Sequence, residues 1–94
     1  NIEGELITAL QLANVDESDG VILNPAGYTH TSVAIGDAIA AIEVPVVEVH
    51  ISNIMGREEF RKFSHVSGKA VGTIAGLGFK GYELAIQYFL EPQL

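Results

Sequence analysis

Apolar positions along this chain switch between two spacings. Ile2, Leu6, Leu10 and Ala13 recur at helical intervals, which predicts a helix over Glu3–Ala13 with Asn1 as its cap. The polar, acidic stretch from Asn14 to Gly20 reads as a loop. Val21-Ile22-Leu23 is a continuous β-prone run ended by Asn24-Pro25, the pattern of a strand buried on both faces. Helical spacing returns over Ser32–Ile42, where Ile35, Ala38, Ile39 and Ile42 form an i, i+3, i+4, i+7 stripe. Val46–His50 predicts a second strand, followed by a polar loop and a short helical turn over Arg57–Arg61. The small residues of Ala70–Ala75, flanked by glycines, predict a third strand. A last helix over Tyr82–Leu90 aligns Tyr82, Ala85, Ile86 and Phe89 and stops before Pro92.

The predicted order is α-β-α-β-(short α)-β-α, which implies an α/β domain with a parallel sheet and helices on both faces. A three-stranded parallel sheet has two faces and two edges to cover. The opening helix also has no preceding strand to dock against. The pattern therefore predicts that a β-α-β piece belongs before Asn1.

Length and charge narrow the picture. Ninety-four residues make one domain, spanning 1–94, near the lower limit for a core without staples. With 48% hydrophobic residues the chain is globular rather than disordered. No apolar run approaches the roughly 20 residues of a bilayer span, and no signal-peptide pattern is seen. Five Lys+Arg against twelve Asp+Glu give a net charge of −7, which opposes nucleic acid and anionic membranes as partners. The lack of cysteine excludes disulfides and thiolate metal sites and fits a cytoplasmic protein.

Candidate chemistry gathers at two predicted strand ends, where open parallel sheets bind ligands. One exit reads Asn24-Pro25-Ala26-Gly27-Tyr28-Thr29-His30-Thr31-Ser32, the other Glu48-Val49-His50-Ile51-Ser52-Asn53. Taken singly, Asn24, Thr31 and Ser32 are ordinary turn and cap residues. Similarly, His50 alone reads equally well as a core histidine, His30 as a turn residue against Tyr28, and Asp37 as a solvated helix residue. Two such clusters at adjacent strand ends favour a site.

NPAGYTHTSVAIGD (24–37), EVHISNIMGREEFR (48–61) and GLGFKGYELAIQY (76–88) resemble the type II 3-dehydroquinases, and the opening Asn1-Ile2-Glu3-Gly4-Glu5 is similar to that family's segment after its second strand. The resemblance implies a flavodoxin-like three-layer α/β/α fold, of which this chain spans the C-terminal two-thirds. It implies dehydration of 3-dehydroquinate to 3-dehydroshikimate through an enolate, with no metal and no organic cofactor. His50 then corresponds to the general acid; by strand spacing Glu48, two residues back, shares its face, and either Glu48 or a backbone carbonyl is expected to fix the imidazole tautomer. Ile51 and Ser52 correspond to the carboxylate anchor, through their backbone amides and the Ser52 hydroxyl. Asn24, His30 and Arg61 correspond to contacts with substrate hydroxyls, and Asp37 to an acidic residue that enters a neighbouring subunit's site. A homo-oligomer is implied, trimers building to a dodecamer. The family's base tyrosine and lid arginine fall before Asn1, and Tyr28, Tyr82 and Tyr88 do not occupy that position; Tyr82 and Tyr88 read as packing residues of the last helix. The 94-residue chain alone is thus expected to be inactive.

Two departures stand out. Pro25-Ala26-Gly27 reverses the family's usual Gly-Ala order, which is expected to move the permissive backbone position to Gly27. Met55-Gly56 replaces a more typical His-Ala. Three other readings compete. Gly76-Leu77-Gly78-Phe79-Lys80-Gly81 fits G-x-G-x-x-G, but the chain leaves no room for the strand and acidic residue that fingerprint needs, so a tight strand-to-helix turn is expected. A metal site of His30, His50 and Glu48 lacks the usual ligand spacing. A non-catalytic fragment or small-acid-binding subunit is the third, with an exposed Val21-Ile22-Leu23 edge open to another segment.

Overall fold

A computed structural model of the chain describes residues 2–53 and 64–91. Arg57, Arg61, the helical turn predicted there, Met55-Gly56, Asn1 and Pro92 lie outside the described residues. The elements are α1 (Glu3–Val15), β1 (Val21–Leu23), α2 (Tyr28–Thr31), α3 (Val33–Ala41), β2 (Val46–His50), β3 (Gly72–Ala75) and α4 (Lys80–Leu90). The three strands form one parallel sheet in the order β1-β2-β3.

Strand periodicity divides the core in two. Val46 joins Leu10, Leu23, Ile35, Ala38, Ile39 and Val66 beneath α1 and α3. Its neighbours Val47 and Val49 point the other way, against Ala85 of α4. All five residues of β2 are buried, as befits the central strand of a parallel sheet. Glu48 and His50 follow Val46 at alternate positions, so the fold carries two polar side chains along the α1/α3 face. β1 departs from expectation: only Leu23 is buried, and Val21 and Ile22 are half-buried, because among the described residues β1 pairs with β2 alone.

Several boundaries moved for local reasons. Ser32 is the cap of α3 rather than its first residue; its Oγ accepts the Ile35 N–H at 3.0 Å, while its own hydroxyl donates to Glu3 of α1. That second bond ties the N-terminal helix to the start of α3. The extra turn α2 lies within the strand exit, where no element was predicted, and its C-terminal Thr31 leads directly into the Ser32 cap. β3 begins at Gly72 rather than Ala70, because Ala70 closes a turn with its N–H on the Val66 carbonyl.

The reversed Ala26-Gly27 pair behaves differently from expectation. Positive φ falls on Ala26, at 52°, whereas Gly27 is at φ −62° in the right-handed region. The turn thus places a Cβ where a glycine is suited; that conformation costs a non-glycine residue roughly 1–2 kcal/mol. A Cβ on Gly27 meets no atom within 4 Å. The exchange Ala26→Gly with Gly27→Ala is therefore expected to raise stability by about 1–2 kcal/mol. Urea unfolding checks it, and an unchanged or lowered midpoint contradicts a strained Ala26.

The 76–81 segment is a tight strand-to-helix turn. Gly76 and Gly78 have φ of 85° and 59°, and a Cβ on Gly81 would sit 3.1 Å from Val49 Cγ1. Gly76 and Gly78 supply the left-handed positions of the turn, and Gly81 lets α4 pack closely on the sheet.

Candidate functional site

The carboxyl end of β2 carries the chemistry. Glu48 is fully buried and His50 is 5% exposed, and Nε2 of His50 hydrogen-bonds to Oε2 of Glu48. Their adjacency follows from the sequence alone, since residues two apart on a strand share a face. The other carboxylate oxygen, Oε1, accepts the Ser67 hydroxyl at 2.6 Å and the Thr73 hydroxyl at 2.9 Å. Thr73 comes from β3, where it stands in register with Glu48.

Ser67 is delivered by a turn built for the purpose. Ser64 Oγ accepts the N–H groups of Val66 at 3.0 Å and Ser67 at 2.9 Å, which folds residues 64–67 tightly. Val66 is fully buried in the core beneath α3. The His65 N–H donates to the Thr29 carbonyl at 2.8 Å, which fastens the turn to α2. Gly36 of α3 lies so close that a Cβ there would be 2.3 Å from the His65 carbonyl oxygen.

Burial pushes the Glu48 carboxyl upward, since the interior disfavours charge. Hydrogen bonds from His50, Ser67 and Thr73, with the attraction of the imidazole, outweigh it and hold the group below its ordinary value of 4.5. Glu48 is thus a carboxylate at neutral pH. It accepts from Nε2 of His50, which leaves Nδ1 as the other ring nitrogen, an acceptor in the neutral ring and a donor in the imidazolium.

The neighbouring positions frame this pair. Ile51 and Ser52 follow directly at the exposed end of β2. Their segment is pinned to the 76–81 turn by N–H groups of Gly76 on the His50 carbonyl (3.2 Å) and of Gly78 on the Ile51 carbonyl (2.9 Å). At the exit of β1, half-buried Asn24 accepts the Ala26 N–H through Oδ1 at 3.0 Å and donates through Nδ2 to the Tyr82 hydroxyl at 3.0 Å. Tyr82 is therefore more than a packing residue: its hydroxyl reaches the β1 exit from the first turn of α4. His30 is half-buried on α2. Asp37 is 69% exposed on α3, 3.7 Å from the Lys69 ammonium. Arg61 lies outside the described residues.

Ser67, Thr73 and Tyr82 were not read from the sequence. Thr73 follows once the β2/β3 register is known, and Tyr82 once α4 is seen to start next to the strand ends. Ser67 sits in a polar stretch with no periodicity to mark it. Among the described residues no group of three or more His, Cys, Asp or Glu is placed to hold a metal ion. No helix of the described residues is long and apolar enough to cross a membrane.

Comparisons with known proteins agree in direction. The family described as Dehydroquinase class II matches residues 1–90. A 3-dehydroquinate dehydratase of Fusobacterium nucleatum is 55% identical over 91 residues, covering 97% of this chain and 62% of that protein. Its counterpart in Nitrosomonas europaea is 53% identical over 90 residues, with 96% and 62% covered. The chain thus spans under two-thirds of the length of these relatives. Among solved structures, a type II dehydroquinase from Butyrivibrio crossotus superposes with a TM-score of 0.93 at 43% identity, covering 97% of this chain and 63% of that one. Another from Propionibacterium acnes gives 0.88 at 46% identity, with 94% and 60% covered.

Proposed function

The chain belongs to the class II dehydroquinase family, and from that premise we propose that its residues supply the acid half of a site that dehydrates 3-dehydroquinate. A base removes the proton beside the ketone, and the electron pair passes into an enolate. As the enolate collapses, the C–O bond to the leaving hydroxyl breaks and His50 gives that oxygen a proton, so water departs and a conjugated enone remains. Imidazole suits the step because it holds and releases a proton near neutral pH. The base tyrosine, by the family resemblance, is supplied from outside these 94 residues.

The observation that carries this reading is the buried carboxylate–imidazole pair at the carboxyl end of the central strand. A carboxylate kept charged beside a histidine stabilises the imidazolium and fixes its orientation, as a proton donor requires. In this account the backbone amides of Ile51 and Ser52, with the Ser52 hydroxyl, hold the substrate carboxylate. Asn24, His30 and Arg61 hold its hydroxyls, and Asp37 serves a neighbouring subunit in a trimer-based dodecamer. The Asn24 amide is already turned toward Tyr82, which orients it for such a contact.

Adding 3-dehydroquinate to the 94-residue chain tests both halves. Amide NMR signals of Ile51 and Ser52 are expected to shift on titration, with little rise in enone absorbance. Unmoved signals at those amides would remove the carboxylate anchor. Brisk enone formation by this chain alone would show that the base lies within it.

A further inference from the structure

We infer that Ser67 and Thr73 are positioning residues: their two hydroxyls lock one oxygen of Glu48 so that the other faces His50 as an ionised acceptor. The inference rests on the reading of His50 as the acid and deepens it. A glutamate side chain has several rotatable bonds, so a single contact to His50 would leave its carboxylate free to turn. Here Oε1 takes Ser67 at 2.6 Å and Thr73 at 2.9 Å, and Oε2 takes His50. The donors come from separate elements, one from the 64–67 turn and one from β3, so the carboxylate is held against rotation from two directions.

The electrostatics point the same way. Glu48 is fully buried, and a buried carboxyl without donors takes up a proton. The titratable group acting on it is His50 of its own strand; the turn and β3 present neutral hydroxyls. Two hydroxyl donors therefore keep the charge on Glu48 without adding a cation that would compete with the imidazole. A protonated Glu48 would give His50 a neutral partner, and the charge-assisted hydrogen bond that orients the imidazole would be lost.

The test uses Thr73→Val, Ser67→Ala, the double variant and Thr73→Ser. Valine keeps the shape and β-preference of Thr73 at an exposed position of β3, so folding is retained. The carboxyl carbon signal of Glu48, followed by NMR against pH, is expected to titrate at higher pH in each single variant and higher again in the double. Thr73→Ser, which restores the hydroxyl, is expected to titrate as the original. In protein that turns over 3-dehydroquinate, kcat is expected to fall about tenfold per hydroxyl, the size of one hydrogen bond to a charged group, with KM little changed. A Glu48 midpoint in Thr73→Val equal to the original overturns the proposal, as does an unchanged kcat in both single variants. The titration needs no substrate, so it stands or falls apart from the dehydratase reading, which loss of turnover in His50→Ala addresses.

Discussion

Replacing His50 by alanine is expected to slow 3-dehydroshikimate formation by roughly 10²–10⁴-fold, the range of a lost general acid. The loss belongs in kcat, because in this account His50 acts on the departing hydroxyl while the Ile51-Ser52 segment holds the carboxylate. The departing oxygen would leave as hydroxide from a variant with no donor, a far poorer leaving group than water. Glu48 would remain buried beside an empty space, still held by Ser67 and Thr73. Enone absorbance under saturating substrate measures the effect. A kcat within a few-fold of the original would remove His50 from the reaction.

The second large effect falls on the scaffold. Gly36→Ala is expected to destabilise the fold by about 3 kcal/mol, the upper end for overpacking a filled interior. The added Cβ would stand 2.3 Å from the His65 carbonyl oxygen, with backbone on both sides of the contact. Relief requires α3 and the 64–67 turn to part. That turn is fastened by buried Val66 and by the His65 N–H on the Thr29 carbonyl, so it resists. Because the same turn presents Ser67 to Glu48, the variant is also expected to disturb the polar pair. Urea unfolding checks the first consequence; a midpoint equal to the original would mean that α3 and the turn are loosely packed.

Much of this was legible in the chain. The hydrophobic runs at Val21–Leu23 and Val46–His50 and the stripe of Ile35, Ala38 and Ile39 fixed the parallel sheet and the helix covering it, since burial on a strand or helix leaves a periodic trace. Glu48 and His50 were readable as a pair because residues two apart on a strand share a face. The helical turn Tyr28–Thr31 escaped notice, since four residues are too few to show a period. Ala26 misled for a physical reason: the positive φ falls on it and not on Gly27, so glycine's preference for that region was no guide to this turn. Ser67 and Thr73 reach Glu48 across 19 and 25 positions, and such contacts are set by register and turn closure rather than by local spacing.

If Glu48 and His50 act as one unit, a double-mutant cycle on kcat will show it. Glu48→Gln alone is expected to lower kcat strongly, because the amide cannot stabilise an imidazolium. Added to His50→Ala, the same substitution is expected to cost almost nothing more, as for groups that work only together. If the two losses simply multiplied, Glu48 would be acting on the reaction by a route that does not pass through His50, and the account would be wrong.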